Sequence, residues 1–386
     1  MDFAKVYCKK GKEKVLQSRN SWLYTGAIAK RVDIAPGKIT EVYDYDGNLS
    51  GYGFYYGGRN IEVYLFDFTS VPQNPATKEY WEVKISKAFE LRKKYTLPKT
   101  SAYRLIHSEG DGMPGLTIDI YNDIAVVDFK IYGMESVAGY IFDALQALGY
   151  QKIKVNKSVS GKYENYTRGD VPAETVITEY GLKFAVDIAT GQKTGFYIDQ
   201  RENRNLLKKY SEGRTVLNMF SYTGGFSVYA LAGGAKQVWS ADISKQALEI
   251  ADKNRQLNAF ESERHIILNE DAFDTLSKLE PNMFDLIVLD PPAFAKKDKD
   301  VPNAVKAYRE LNYEAIKKIK KGGIVFTFSC SQKIDKDLFR KIVFTAAAKA
   351  QRPVRILHQL TQPEDHPIDI FQPKSEYLKG FVLYVE

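Results

Sequence analysis

The chain has 386 residues, long enough for two or three domains of ordinary size, and its hydrophobic fraction of 44% is that of a soluble globular protein. A formal net charge of +7 suits a polyanionic partner such as nucleic acid, although a surface excess alone does not require one. No run approaches the roughly 18 apolar residues of a membrane span, the opening MDFAKVYCKKGKEKV lacks the apolar core of a signal peptide, and two cysteines outside any CxxC or Cys/His cluster exclude a disulfide framework and a structural zinc site. The expected setting is the cytoplasm, with no metal.

Residues 1–70 are rich in glycine, tyrosine and β-branched residues. Turn signals at Pro36-Gly37, Asp46-Gly47-Asn48 and Gly57-Gly58 separate alternating runs such as ITEVYDYD and NIEVYLFDF, which predicts a small β-barrel or sandwich. Val71-Pro72-Gln73-Asn74-Pro75 has linker composition. After it, EYWEVKISKAFELRKKY spaces its apolar residues as a helix does and ends on basic residues suited to a helix carboxyl terminus. Within 71–175, YRLIHSEGDGMPGLTIDIYNDIAVVDFKI holds two strand-like runs around a loop, and SVAGYIFDALQALGY reads as a helix; together they predict a central α+β domain. From 176 to 386 strands and helices alternate. VITEYGLKFAVDI reads as a hairpin and RENRNLLKKY as a helix. The strands TVLNMF, QVWSADI, HIILNEDA, FDLIVLD and IVFTFSC then take turns with the helices GGFSVYALAGG, SKQALEIADKNRQLN and AVKAYRELNYEAIKKIKK. This alternation predicts an α/β, doubly wound, Rossmann-like sheet with helices on both faces.

Two strand ends stand out. Asp290-Pro291-Pro292 stops the apolar run LIVL, because proline can neither extend the ladder nor donate to it, and the carboxylate is left facing a crevice. Cys330 ends IVFTFSC, so in a parallel sheet its thiol would emerge at the same carboxyl edge, as a candidate nucleophile or as a small buried core residue. The first strand of this region ends in Phe220-Ser221-Tyr222-Thr223-Gly224-Gly225, where a helix begins and glycine lets the backbone approach a ligand. It is neither GxGxxG nor a P-loop. Asp242, followed by Ile243, ends the second strand, where a carboxylate can accept from both hydroxyls of a ribose. Asp271-Ala272 ends the third, in reach of an adenine amine, and Asp290 ends the fourth. Acids after successive strands with no phosphate loop suit a cationic nucleoside carrying an amino acid, the form of S-adenosylmethionine. Taken singly, each acid is as well explained as a helix cap or a solvated carboxylate.

The runs TGQKTGFYIDQRENR, LNMFSYTGGFSVYAL, LDPPAF and FTFSCS resemble the RlmI-like family of S-adenosylmethionine-dependent 23S ribosomal RNA cytosine-5 methyltransferases, and the resemblance covers essentially the whole chain. GKEKVLQSRNSWLYTGAI is similar to the opening of that family's PUA domain, an RNA-binding barrel. YRLIHSEGDGMPGLTIDIY is similar to its central domain, and DHPIDIFQPKSEYLKGFVLYV to its terminal antiparallel hairpin. The resemblance implies a methyltransferase domain over 176–386, with Phe220 to Gly225 as the cofactor loop, Asp242 as the ribose acid, Asp271 on the adenine side and Asp290 in the target-base motif. It also implies that Gln200 and Arg201 line the cofactor pocket, that Cys330 is the nucleophile, and that 23S ribosomal RNA is the partner. One departure is Asn20-Ser21-Trp22, where relatives commonly read His-Pro-Trp.

Carbon 5 of a pyrimidine is too weak a nucleophile to take a methyl group unaided, and a thiolate added at carbon 6 makes it enamine-like. No second cysteine lies beside Pro291-Pro292, so release of the adduct needs another base, such as Asp290 or water. The rivals are a methyltransferase acting on another base atom, such as a guanine nitrogen, with Cys330 merely packed, and a non-catalytic RNA-binding ribosome-assembly factor. The sequence leaves open whether the chain pairs as a homodimer.

Overall fold

The structure, a computed structural model, describes residues 3–29, 34–58, 60–97, 99–159, 162–191 and 194–386; Gln192 and Lys193 of the TGQKTGFYIDQR run lie outside them. The chain divides into two compact units, Met1–Ala173 with Glu364–Ser375, and Glu174–Pro363 with Glu376–Glu386.

The first unit opens with β1 (Ala4–Tyr7), the short helix α1 (Lys14–Gln17), β2 (Trp22–Tyr24), β3 (Ile39–Tyr43), β4 (Leu49–Tyr55) and β5 (Ile61–Asp67), in the order β1-β3-β4-β5-β2. Lys9 N donates to Ala27 O and Ala29 N to Tyr7 O, so the segment after β2 returns to β1 and closes the sheet as a barrel. The departure at Asn20-Ser21-Trp22 leaves this intact: Asn20 accepts from the Trp22 amide, and buried Ser21 accepts from Leu65 N through its carbonyl.

Helix α2 (Lys78–Tyr95) buries Trp81, Ile85 and Ala88. Its basic end falls in the last turn, as expected, with Arg92, Lys93 and Lys94 there. Arg92 is fully buried and grips Asp111 with two hydrogen bonds of 2.6 and 2.7 Å. A second sheet follows, from β6 (Ala102–His107), β7 (Leu116–Tyr121), β8 (Ile124–Phe129), β9 (Lys152–Val159) and β10 (Lys162–Arg168) in the order β10-β9-β8-β7-β6, with α3 (Tyr132–Ser136) and α4 (Ala138–Ala147) after β8. The second strand-like run of the sequence is thus two strands. Asn122, at φ +57°, turns the chain between β7 and β8, a conformation asparagine tolerates well.

The second unit starts with the hairpin β11 (Glu174–Glu179) and β12 (Leu182–Asp187), then α5 (Arg201–Lys208). The strands β13 (Thr215–Met219), β14 (Gln237–Ala241), β15 (His265–Leu268), β16 (Leu286–Leu289) and β17 (Gly323–Ser329) alternate with helices α6 (Gly225–Ala232), α7 (Lys245–Leu257), α8 (Ala272–Lys278) and α9 (Val301–Lys318), and α10 (Lys336–Ala350) leads to β18 (Val354–Leu360) and β19 (Lys379–Val385). The seven-stranded order is β15-β14-β13-β16-β17-β19-β18, parallel from β15 to β17, with β19 antiparallel to both neighbours. All residues of β16 and β17 are buried, as strands covered by helices on both faces must be, whereas the edge strand β18 is mostly exposed.

The terminal hairpin therefore pairs Val354–Leu360 with Lys379–Val385. The residues DHPIDIFQPKS do not form one of its strands: Pro367 and Pro373 interrupt any ladder, and the stretch Glu364–Ser375 belongs to the first unit. There Asp365 O accepts from Arg92 Nη2 at 2.8 Å, and its carboxylate accepts from Arg104 N at 3.0 Å.

Candidate active site at the carboxyl edge of the sheet

Leu268, Ala241, Met219 and Leu289 end β15, β14, β13 and β16 in one paired row, with Thr327 of β17 beside Leu289. The first residues beyond that row are Asn269, Asp242, Phe220 and Asp290. Two carboxylates thus flank the loop that begins at Phe220. β17 continues to Ser329, held by β19, and Cys330 follows.

The loop is tightly wound. Phe220 and Tyr222 have φ of +57° and +46°, and Gly224 has +74°. A left-handed non-glycine residue costs about 1–2 kcal/mol, so the surroundings must enforce the turn. They do so through the backbone: Ser221 N donates to Ala241 O at 3.0 Å, Tyr222 N to Asp242 Oδ2 at 2.8 Å, and Gly224 N to Ser221 O at 2.9 Å. A Cβ at Gly224 would lie 2.9 Å from the Ala251 Cβ, so helix α7 also excludes a side chain there. Gly225 then opens α6, whose Gly224 cap offers no side-chain acceptor to the first backbone amides of the helix. Thr223 is buried, and its carbonyl accepts from Asn254.

Asp242 Oδ1 accepts from Ser244 N at 2.9 Å, so each of its oxygens takes one backbone amide and keeps a lone pair for a further donor. Beside it Ile243 is 75% exposed, an apolar side chain held in water at the sheet edge. The Ser221 hydroxyl is buried with no partner among the described residues, and buried polar groups normally have one. Amides at a helix start, a buried hydroxyl and an acid with lone pairs to spare fit a nucleoside ligand.

Asp271 departs from the register expected of it. β15 ends at Leu268, short of the strand HIILNEDA expected to run to Ala272, and Asp271 is instead the N-cap of α8, accepting from Phe273 N and Asp274 N at 2.8 and 3.3 Å. Asn269 takes the place in the row and donates to the carbonyls of Asp242 and Ile243. Ala272 is buried at the first turn of α8.

On the other side, Gln200 Nε2 donates to Asp290 Oδ1 at 3.0 Å, and its Oε1 accepts from Asn203 Nδ2 at 2.6 Å, which fixes the amide's orientation. Arg201 is fully buried and pairs with Glu202. Arg204 clamps this segment in place: its guanidinium grips buried Glu179 of β11 at 2.7 and 2.8 Å, donates to Tyr197 O, and its side chain lies against Gly225. Cys330 packs partly on the core around Phe226 and Phe328 and remains partly exposed, with Sγ 3.9 Å from Pro291 O. Ser331 Oγ accepts from Ala295 N at 3.2 Å and lies 3.0 Å from Tyr308 OH, so the SCS run holds the Asp-Pro-Pro loop. Cys8, by contrast, is fully buried in the first unit, and burial raises its thiol pKa.

Residue-type patterns do not point to Tyr197 or Lys379. Burial, then the charges of Asp290, Asp199, Tyr222 and Cys330, raise the Tyr197 pKa, which places its phenol among them as a neutral group. Lys379 pairs with Ser329 across β17 and β19. The one signal for Tyr197 is its place in FYIDQR. Lys379 carries none, because only the strand pairing brings it here.

A family model of S-adenosylmethionine-dependent methyltransferases matches residues 161–372, more than half of the chain, and a PUA-like domain model matches residues 6–68. "Ribosomal RNA large subunit methyltransferase I" of Alteromonas mediterranea is 36% identical over 99% of this chain and 99% of that protein. Its namesake from Aeromonas hydrophila is 38% identical over 98% and 99%. The crystal structure of SMU.776 complexed with SAH aligns with a TM-score of 0.86 at 24% identity, covering 99% of this chain and 100% of that one, a likeness of fold. S-adenosylmethionine is accordingly the cofactor, and the chain belongs to the ribosomal RNA large subunit methyltransferase I family.

Proposed function

We propose that this chain methylates carbon 5 of a cytosine in large-subunit (23S) ribosomal RNA through a covalent adduct with Cys330. The observation that carries the proposal is the pair of adjacent strand ends, Asp290 beyond β16 and Cys330 beyond β17, with Cys330 Sγ 3.9 Å from the Pro291 carbonyl. The RNA class comes from the relatives' names. The PUA-like barrel and the +7 charge would supply phosphate contacts, so RNA binding should weaken as salt rises.

Phe220 to Gly225 would cradle the cofactor, Asp242 would accept from the ribose hydroxyls, Ile243 would cover a face of the adenine, and Asp271 and Ala272 would lie on its amino side. Gln200 and Arg201 would shape the wall beside Asp290. When bound, S-adenosylmethionine supplies the methyl group and leaves as S-adenosylhomocysteine. The Cys330 thiolate would form a bond to carbon 6 of the cytosine, pushing the ring π electrons toward carbon 5 and the ring edge, where Asp290, oriented by Gln200, holds the base. After carbon 5 has been methylated, its proton would pass to water or to Asp290. The carbon–sulfur bond would then break, its electron pair returning to sulfur. Cys8, buried in the first unit, is no candidate for a second, releasing cysteine.

RNA carrying 5-fluorocytosine should trap wild-type protein in a complex that survives denaturation, and Cys330→Ala should give none while still binding S-adenosylmethionine. Methyl transfer by Cys330→Ala at the wild-type rate would sink the covalent scheme. Nucleoside mass spectrometry that found methylguanosine in place of 5-methylcytidine would move the chain to the rival chemistry.

A further inference from the structure

Lys379 begins β19 opposite Ser329, the residue before Cys330. It is 5% exposed, and its Nζ donates to two backbone carbonyls, Ser331 O at 2.6 Å and Tyr377 O at 2.8 Å. Among the described residues no carboxylate forms an ion pair with it. An ammonium in such a place is costly without a counter-charge, and burial lowers its pKa to about 8. Of the groups that oppose that shift, Cys330 acts most strongly, ahead of Glu376 and Asp335, while Lys336 adds to the shift.

Among the described residues, the other ionisable groups whose electrostatics involve Cys330 are the phenols of Tyr197 and Tyr308, which supply no cation. Tyr197 and Tyr308 are held protonated and neutral by burial, and Asp290, which with Cys330 acts on Tyr197, is a carboxyl group that can carry no positive charge. Lys379 is a buried cation that the pairing of β17 with β19 brings to this end of β17, and its grip on the Ser331 carbonyl fixes it one residue from the thiol.

We propose that Lys379 is a positioning residue whose ammonium holds Cys330 as a thiolate. The inference rests on the reading of Cys330 as the nucleophile. The thiol proton leaves to solvent before the base arrives, and Lys379 keeps its own protons throughout. The same charge favours sulfur as it departs at the end of the reaction, so one residue serves both bond formation and bond cleavage. This also bears on the missing second cysteine: a stabilised thiolate is a better leaving group, and only the proton on carbon 5 then needs a base.

The test is the pH dependence of Cys330 alkylation by iodoacetamide in the full chain without RNA, with Cys330 and Cys8 peptides separated by mass. Wild type should show a thiol pKa below the ordinary ~8.5. Lys379→Met and Lys379→Gln should raise it by about one unit or more, slowing alkylation at neutral pH about tenfold, and Lys379→Arg should restore most of the wild-type profile. Lys379→Gln keeps a donor for the two carbonyls, so it carries the test if the methionine variant fails to fold. Folded Lys379→Gln with an unmoved profile overturns the proposal. Methyl transfer by Cys330→Ala would overturn both this proposal and the nucleophile on which it rests, whereas an inactive Cys330→Ala with an unmoved Lys379→Gln profile overturns this one alone.

Discussion

The carboxyl edge of the seven-stranded sheet has two halves built in different ways. Over β13 and β14 the groups are set by backbone: left-handed residues at Phe220, Tyr222 and Gly224 turn amides onto Asp242, and both carboxylate oxygens are satisfied by main chain. Over β16, β17 and β19 they are set by side chains from distant segments, with Gln200 on Asp290, Ser331 on the Asp-Pro-Pro loop and Lys379 on the carbonyl next to Cys330. The first half resembles a rigid cast and the second a network, and single substitutions should affect them differently. Backbone geometry tolerates the loss of one side chain better than a network does.

The largest expected effect attacks the clamp behind both halves. Arg204→Met leaves the Glu179 carboxylate buried and unpaired and should cost about 3–5 kcal/mol of stability in denaturant melts. A loss below one kcal/mol would show that the pair is not structural. Next, Asp290→Asn should lower kcat about 10²–10³-fold with little change in melting temperature, as expected when a transition-state contact is removed; a rate near wild type would remove Asp290 from the chemistry. Asp242→Asn should act on binding instead, weakening S-adenosylmethionine by about 1.5–3 kcal/mol, because a charged acceptor is lost. Titration calorimetry decides this, and an unchanged Kd would place the ribose elsewhere. The smallest effect should come from Gln200→Ala, a several-fold fall in kcat worth about 1 kcal/mol, since Asp290 loses one neutral donor. If that loss matched Asp290→Asn, the amide and not the acid would be the principal group.

The same asymmetry governs what is legible in the sequence. Strand ends and turns are local, so the run from Phe220 to Gly225, Asp242 and Asp290 can be placed from residue order alone. Asp271 misleads because HIILNEDA reads as one strand, yet Asp271-Ala-Phe-Asp274 ahead of an apolar-spaced run carries the helix-capping pattern that ends it at Leu268. Lys379 is illegible: its relation to Cys330 exists only because β19 enters antiparallel between β17 and β18, a long-range pairing that no local pattern encodes. The hairpin reads too late in the chain for a similar reason. VRILHQL lies on an exposed edge and lacks clean alternation, while DHPIDIFQPKS offers strand-like apolar residues in a stretch that belongs to the other unit.

That loan of residues has a consequence for synthesis. Arg92 and the Arg104 amide find Asp365 only after the ribosome has made nearly the whole polypeptide, so two hydrogen bonds of the unit that begins at the amino terminus cannot form when its first 173 residues emerge. Vectorial folding, which usually completes an amino-terminal domain first, would here leave these two bonds to form after the intervening unit has been translated. A protein truncated within the methyltransferase unit would therefore lack more than catalysis. Its amino-terminal part would lack the Asp365 acceptors of Arg92 and of the Arg104 amide.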